Sequence, residues 1–307
     1  MLINGSAIRA VFTGLSSQFN NALVAVPTDY QATTMMVPSN STGVDYAWLN
    51  RFPKMRQWVG DKHIKALALG NYYVKNLDWE TTIAVDRNDL EDDQLGIYNA
   101  QAQMAGQSAG ELYGDIVTSL KNAAFTGLGM DGVAYYSDSH TLTNAGGTTI
   151  TQDNKLTAAL SAASLAALVS SYGAARQAIM KFTDEEGQPL GLMPDLLEVP
   201  PALEAVALII ANADKLVDEA PNPYRGTCRV QVNPRLTSDT AWMLHVSNRG
   251  AIKPFVLQTR KAPTFVSQTS MENDDVFNRR EFKFGAEARA AGAYGFWQLS
   301  VGSTGLG

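Results

Sequence analysis

The sequence predicts an α+β fold, and three observations carry that expectation. Leu95, Tyr98, Ala102, Ala105, Ala109, Leu112, Ile116 and Leu120 recur at steps of three and four, which keeps them on one side of a single long helix. Trp79, Thr81, Ile83 and Val85 alternate with Glu80, Thr82 and Ala84, the period of a strand with one covered face. Strand-like runs at 229–232, 241–246 and 255–259 then follow without the strand–helix rhythm of a parallel α/β sheet.

Taken in order, the chain opens with Ile8, Val11, Phe12, Leu15 and Phe19 at helical spacing. Residues 22–44 contain "VPTDYQATTMMVPSNSTG", which has no helical period and reads as an extended strap that needs a surface to lie on. Residues 45–58, interrupted at Pro53, read as a short helix with Trp48, Leu49, Phe52, Met55 and Trp58 as a core stripe. Two strands across 62–85, joined by a turn at Lys75-Asn76-Leu77-Asp78, read as a long hairpin, because Asn and Asp tolerate the left-handed backbone of such turns. A two-stranded ribbon is marginal in water, so it needs a neighbour to pack on.

The long helix, at 1.5 Å per residue, spans about 45 Å for roughly 30 residues and acts as a spine. Asp92 and Asp93 stand at its start, where carboxylates meet free amides and the positive end of the helix dipole. Residues 125–152 read as loop, and Ser164 caps a second helix with Leu165, Leu168, Tyr172, Ala175 and Ile179 on its stripe. Residues 182–213 read as strand, turn, strand and a helix with Pro201 in its opening turn. Near the end, Phe282 and Phe284 face inward from one strand, and Trp297, Leu299 and Val301 from another.

Composition narrows the function classes. A chain of 307 residues with 45% hydrophobic content is long enough for a sizeable core. Charged residues make up only 18%, against a usual share of roughly 25%, so the surface is rich in neutral polar and small residues, as subunit contacts require. Twenty-four basic and 30 acidic side chains leave a net charge of −6 with no Lys/Arg block, which argues against a phosphate-tracking groove. Cys228 is alone and makes neither an internal disulfide nor a multi-thiolate metal site. "MLINGSAIRAVF" lacks the basic and apolar regions of a signal peptide, and the apolar run 205–211 is far below the roughly 20 residues of a membrane span. A soluble protein made inside a cell is expected.

Several catalytic letter patterns lack their structural context. Gly106-Gln107-Ser108-Ala109-Gly110 matches the nucleophile elbow, yet that motif needs a strand turning sharply into a helix, and here one helical stripe runs through it. The glycines at 106, 110 and 114, each costing about 1 kcal/mol of helix propensity, instead leave a flat face for close approach of another backbone. Gly127-Leu128-Gly129-Met130-Asp131-Gly132 has dinucleotide-fingerprint spacing but follows a helix, so it reads as a turn. His63, His140 and His245 share no ligand spacing, and Ser137, Asp138 and His140 lie too close in sequence to converge as a triad. In "DWETTIAVDRNDLEDD", a calcium loop starting at Asp86 would have Leu90 and Glu91 where an oxygen ligand and then glycine are required. No metal or cofactor is expected, and the five carboxylates read as a solvated or subunit-facing cluster.

Four segments, "WLNRFPKMRQWVGDKHIKAL", "WETTIAVDRNDLEDDQLGIY", "GQPLGLMPDLLEVPPALE" and "FKFGAEARAAGAYGFWQLS", resemble the major head subunit of Mu-like tailed phages, and the resemblance runs over nearly the whole chain. It implies the Hong Kong 97 type major capsid fold. The implied divisions are an N-terminal arm at 1–44, an extended β-hairpin loop at 45–91, a peripheral domain with the spine helix at 92–131, an axial domain at 132–254, and closing strands of the peripheral domain at 255–307. The implied role is structural, not enzymatic: self-assembly as pentamers and hexamers into an icosahedral shell around double-stranded DNA, which it holds without sequence specificity.

Implied partners are copies of the chain, a separate scaffolding protein, a portal, decoration proteins and the packaged DNA, with no membrane. A separate scaffold is expected because the core begins close to Met1, whereas some relatives carry a cleaved scaffolding segment; nothing here supports the covalent Lys–Asn cross-link of others. The implied location is the virion, after assembly in the bacterial cytoplasm. Other classes are an encapsulin-like nanocompartment shell enclosing protein cargo and a serine hydrolase using Ser108.

Candidate interface residues follow from charge and aromatic content. Arg51, Lys54, Arg56, Lys62 and Lys65 are expected to oppose Asp86, Asp89, Glu91, Asp92 and Asp93 between subunits, giving register more than affinity. The alternative is pairing within one chain, at roughly 0–1 kcal/mol for each exposed pair. Tyr72, Tyr73 and Trp79 are expected to be exposed in a lone subunit and buried as aromatic anchors in the shell, with the strap at 22–44 lying on a neighbour.

Overall fold

A computed structural model describes residues 5–46, 72–91, 95–144, 147–270 and 272–307. In chain order come α1 (Gly5–Ala25), a 3-10 turn (Asp29–Ala32), β1 (Thr34–Pro38), β2 (Gly43–Asp45), β3 (Tyr73–Lys75), β4 (Leu77–Asp86), α2 (Arg87–Glu91) and α3 (Leu95–Ala123). Next are β5 (His140–Thr143), β6 (Thr149–Gln152), β7 (Lys155–Leu156), α4 (Leu165–Leu168) running through a π-helical turn into α5 (Ala174–Lys181), β8 (Leu196–Val199), α6 (Glu204–Asn212) and β9 (Arg229–Val232). The last elements are β10 (Trp242–His245), β11 (Phe255–Gln268), α7 (Asp274–Arg279), β12 (Glu281–Tyr294) and β13 (Ser300–Ser303). Among the described residues no helix is long and apolar enough to cross a membrane.

The strands form two main sheets, β1-β11-β12-β4 and β7-β13-β10-β8-β9, with small ribbons β2–β3 and β5–β6. α3 is the spine that its apolar stripe predicts: Tyr98, Ala102, Ala105, Ala109 and Ile116 are buried. α1 lies along it and puts Ile8, Phe12, Leu15 and Phe19 inward at the expected spacing. Phe12 meets Phe282 and Phe284 edge-on, each at 6.2 Å between ring centroids, so α1 closes one face of the four-stranded sheet.

The helix crossing explains the glycines. A Cβ at Gly106 would run into the Phe19 carbonyl oxygen, and one at Gly110 would lie 2.6 Å from Val26 Cγ2, so α1 approaches α3 where side chains are missing. Gly114 is different: a Cβ there meets nothing closer than 3.6 Å. The core around the five-stranded sheet, with Leu197, Val199, Trp242, Leu244 and Val301, continues through Phe255, Val256 and Tyr294 into the four-stranded sheet. The second helix keeps its predicted stripe, with Leu168, Tyr172, Ala175 and Ile179 buried and Ser164 accepting the Ala167 N–H at 3.3 Å. Leu165, one turn earlier, is exposed.

Other expectations are corrected. Part of the strap has a place on its own subunit: β1 pairs in parallel with β11, from Thr34 opposite Phe255 to Pro38 opposite Thr259. Among the described residues no hairpin turns at 75–78, since β3 pairs with β2 while β4 pairs antiparallel with β12, and positions 62–71 of the expected first strand lie outside the described residues. Alternation along β4 was legible, with Val85 buried and Ile83 half-buried, but not which strand accompanies it. The expected helix at 45–58 lies almost entirely outside the described residues.

β11 continues beyond residue 259 because register shifts between Thr259 and Lys261, and between Lys261 and Thr264, accommodate Pro263, which has no N–H for the ladder. Within the stretch read as loop, β5 and β6 form a threonine-rich hairpin whose few apolar residues give almost no alternation signal. β8, α6 and β9 form one parallel crossover, hidden in the sequence by the long connection after α6. β13, expected with the closing strands beside Phe282 and Phe284, pairs with β10 and β7 in the five-stranded sheet, and Trp297–Leu299 is a 3-10 turn leading into it.

Candidate assembly surfaces

The β2–β3 ribbon is rooted in the body, where Val44, Tyr46 and Val74 join the main core and Asn76 leads into β4. Asn76 separates β3 from β4 and is almost fully buried. Its side-chain amide donates to Ser39 Oγ at 3.0 Å and the Ser41 carbonyl at 2.9 Å, and its Oδ1 accepts from Gln258 Nε2 at 2.6 Å. Gln258 Oε1 in turn accepts from the Tyr46 hydroxyl at 2.9 Å, and burial pushes that phenol up to about 12. Every polar group in this knot has a partner, which rigidifies it.

The three aromatic candidates divide. Tyr72 turns inward, against expectation: its hydroxyl accepts the Tyr294 N–H at 2.9 Å, its carbonyl accepts the Tyr46 N–H at 3.1 Å, and burial raises its pKa. Tyr73 is 58% exposed, Leu77 52% and Trp79 37%. The Trp79 indole N–H donates to the Ala290 carbonyl at 3.0 Å, which lays the ring over β12 and leaves part of it facing solvent. Periodicity alone did not separate Tyr72 from Tyr73.

The acidic junction is partly a local fastener. Asp86 Oδ1 accepts the Asn88 N–H at 2.7 Å, closing the first turn of α2. The Tyr98 hydroxyl donates to Asp89 Oδ2 at 2.5 Å and accepts the Asp86 N–H at 3.4 Å, tying the end of β4 to α3. Burial, then the Asp89 hydrogen bond, raise the Tyr98 pKa. Glu91 is the last residue of α2. Asp92, Asp93, Arg51, Lys54, Arg56, Lys62, Lys65 and His63 lie outside the described residues, so the opposed charge clusters remain a proposal.

A buried polar network escaped the sequence analysis. Lys121 on α3 donates to Glu198 Oε2 on β8 at 2.7 Å, while Asn233 Nδ2 donates to Oε1 of the same carboxylate at 2.7 Å. His245 Nε2 lies 3.2 Å from Glu198 Oε2, its Nδ1 lies 2.9 Å from Ser300 Oγ, and Tyr136 bonds that hydroxyl at 2.6 Å. Burial pushes the Glu198 pKa up, but the Lys121 ammonium and His245 more than offset it and hold the carboxylate well below its usual range. Burial lowers the His245 pKa against the pull of Glu198.

Ser300, His245 and Glu198 carry the letters of a hydrolase triad, yet none has accessible surface, so the hydroxyl meets no substrate. The network is a bolt between spine helix and sheet. One signal was present: Lys121 lies between the buried Val117 and Ala124 at steps of four and three, a charge inside an apolar face. His140 is also structural, stacked on Trp297 at 4.2 Å with its Nδ1 2.5 Å from Asp131 Oδ2. Ser108 lies mid-helix on the exposed side of α3, with no strand-to-helix turn to present it.

Residues 8–168, 157–236 and 229–305 match the family described as Mu-like prophage major head subunit gpT. The chain belongs to this family. It is 26% identical over 301 residues to the major capsid protein of Escherichia phage Mu, covering 98% of this chain and 74% of that one. It is 23% identical over 294 residues to the Mu-like prophage FluMu major head subunit of Haemophilus influenzae, covering 95% and 71%. The procapsid of bacteriophage JBD30 is similar in structure, with a TM-score of 0.62 and 25% identity across 98% of this chain and 76% of that one. As a Mu-like head subunit, the chain is a phage major capsid protein with the Hong Kong 97 type fold.

Proposed function

We propose that copies of this head subunit assemble without covalent links, as pentamers and hexamers, into an icosahedral shell around double-stranded DNA. The family match from residue 8 to residue 305 carries this reading. The subunit's own features agree with it: Tyr73, Leu77 and Trp79 leave apolar surface beside the β4 edge, as a subunit interface requires. The net charge of −6 suits a container, because a wall that gripped phosphates through Lys and Arg would hinder filling and release.

On this reading residues 1–44 form the arm, 45–91 the extended loop, 92–131 and 255–307 the peripheral domain, apart from β13, which joins the sheet of the axial domain at 132–254. Assembly takes place in the bacterial cytoplasm, with a separate scaffolding protein, a portal and decoration proteins as partners, and the product is the virion. The test is negative-stain microscopy of the purified chain with and without co-expressed scaffold, followed by extraction of the particle contents. Closed shells containing DNA after packaging support the proposal. Particles holding only protein cargo would make it a nanocompartment, and open rings or trimers would make it a different head component.

A further inference from the structure

Asn233 follows β9 and places a buried carboxamide beside the Lys121–Glu198 pair. Its Nδ2 donates to Glu198 Oε1 at 2.7 Å and to Thr118 Oγ1 at 3.2 Å, while Lys121 Nζ donates to Glu198 Oε2 at 2.7 Å. One carboxylate thus holds an amine on one oxygen and an amide nitrogen on the other. The carboxamide oxygen of Asn233, Oδ1, accepts the Arg235 N–H at 3.1 Å. A structural ion pair needs only its two charges, and here the third member carries a carbon that an amine can attack.

These groups have the arrangement that acyl transfer to an amine requires. Lys121 Nζ is the nucleophile. Glu198 takes a proton from it at Oε2 and delivers one to Nδ2 from Oε1. The Arg235 N–H stabilises the charge that develops on Oδ1. Burial disfavours separated charges, so one proton moving along the 2.7 Å hydrogen bond converts the ion pair to a neutral amine and a carboxylic acid. The ion pair is the resting form, which makes the reaction slow beside folding. Well-oriented neighbours offset this, with effective molarities on the order of 10⁵ M or more. A cavity of about 300 Å³ runs from Thr118, Lys121 and Asn233 to the exposed Asp29 and Arg235, a way out for the released nitrogen.

We propose that Lys121 and Asn233 of the same copy join in an isopeptide bond, with Glu198 as the proton shuttle. Nζ bonds to Cγ of Asn233 and the Cγ–Nδ2 bond breaks. Two protons pass from the lysine nitrogen to Nδ2, so ammonium leaves and no oxidant or further reactant is needed. The product fastens the end of the spine helix to the loop after β9 and leaves the contacts between copies non-covalent. With the lysine charge gone, His245 Nε2 at 3.2 Å remains to carry positive charge beside Glu198.

The purified full-length chain is followed by intact mass spectrometry during prolonged incubation and then digested. The expected result is loss of the mass of one ammonia and a branched peptide joining Lys121 to Asn233. Lys121→Arg keeps a cation on Glu198 without an attacking amine, so its mass should not change. In the reacted wild-type chain the His245 imidazole, followed by NMR, should titrate at higher pH, because the ammonium that lowers its pKa is gone. Wild-type chain that keeps its full mass, with Lys121 and Asn233 recovered in linear peptides, overturns the proposal. Equal ammonia loss from Lys121→Arg, or loss with an unmoved His245 titration, also overturns it by placing the reaction elsewhere.

Discussion

Lys121 on the spine helix and Glu198 on β8 form an ion pair of 2.7 Å, with 1% and 0% of their side chains exposed. Removing one partner leaves a buried charge uncompensated, which costs about 3–5 kcal/mol. Lys121→Met or Glu198→Leu should therefore shift the urea midpoint of the isolated subunit sharply downward. The double variant Lys121→Met/Glu198→Leu should recover only part of that loss, since Asn233 Nδ2 and His245 Nε2 lose the same acceptor, at about 1–3 kcal/mol for a buried group left unpaired.

The same network makes stability depend on pH in one direction. His245 has a folded pKa below its ordinary 6.5, so below that pH the unfolded chain binds the proton first and stability falls. The depressed Glu198 acts likewise: its stabilisation is complete above the ordinary 4.5 and is lost as pH falls further. Each proton taken up preferentially by the unfolded chain contributes at most about 1.4 kcal/mol per pH unit. Urea titrations from roughly pH 8 down to roughly pH 4 should show this decline, and His245→Gln should flatten its upper part.

Glycine substitutions along α3 should separate by position. Gly106→Ala gains about 1 kcal/mol of helix propensity but drives a methyl into the Phe19 carbonyl, an overpacking cost of about 1–3 kcal/mol, so it should lower the melting temperature. Gly114→Ala has room and should raise it. Identical responses would contradict the crossing geometry.

The aromatic residues at the ribbon root should divide between folding and assembly. Tyr72→Ala removes an anchored ring and should cost about 3 kcal/mol or more in denaturant unfolding. Tyr73→Ala should stay within about 0.5 kcal/mol. Trp79→Ala should reduce shell yield more than subunit stability.

Charge at the acidic junction has a cleaner test than simple reversal. Because Asp89 accepts from Tyr98, Asp89→Lys also disturbs the β4–α3 connection. Reversing Asp92 and Asp93 to Lys, with Asp89 retained, should block shell formation while circular dichroism of the subunit is unchanged. Normal shells from that variant would remove the acidic cluster from the interface.

Local elements were legible where one face is apolar over several turns, as in α1, α3 and the helix after Ser164. Strand partners were not, because alternation along β4 says which side is covered and nothing of whether β3 or β12 lies beside it. The candidate surface was half-legible for the same reason: Tyr72 and Tyr73 are equivalent as letters, and only the Tyr294 N–H decides which is an anchor. Asn76 read as a turn residue because asparagine favours turns, while its role depends on Ser39 and Gln258, one far behind it and one far ahead in the chain. The Glu198 network assembles from residues 121, 198, 233, 245 and 300, a separation that no local pattern spans.

Asn76 also gives the molecule a mechanical property. With β3 and β4 in different sheets and one residue between them, a load arriving through the ribbon is not shared along a continuous ladder of strand hydrogen bonds. It passes into the Asn76 amide, the Gln258 bond to the Val74 carbonyl and the Tyr72 ring held at the Tyr294 N–H, so the root of the ribbon moves with the four-stranded sheet.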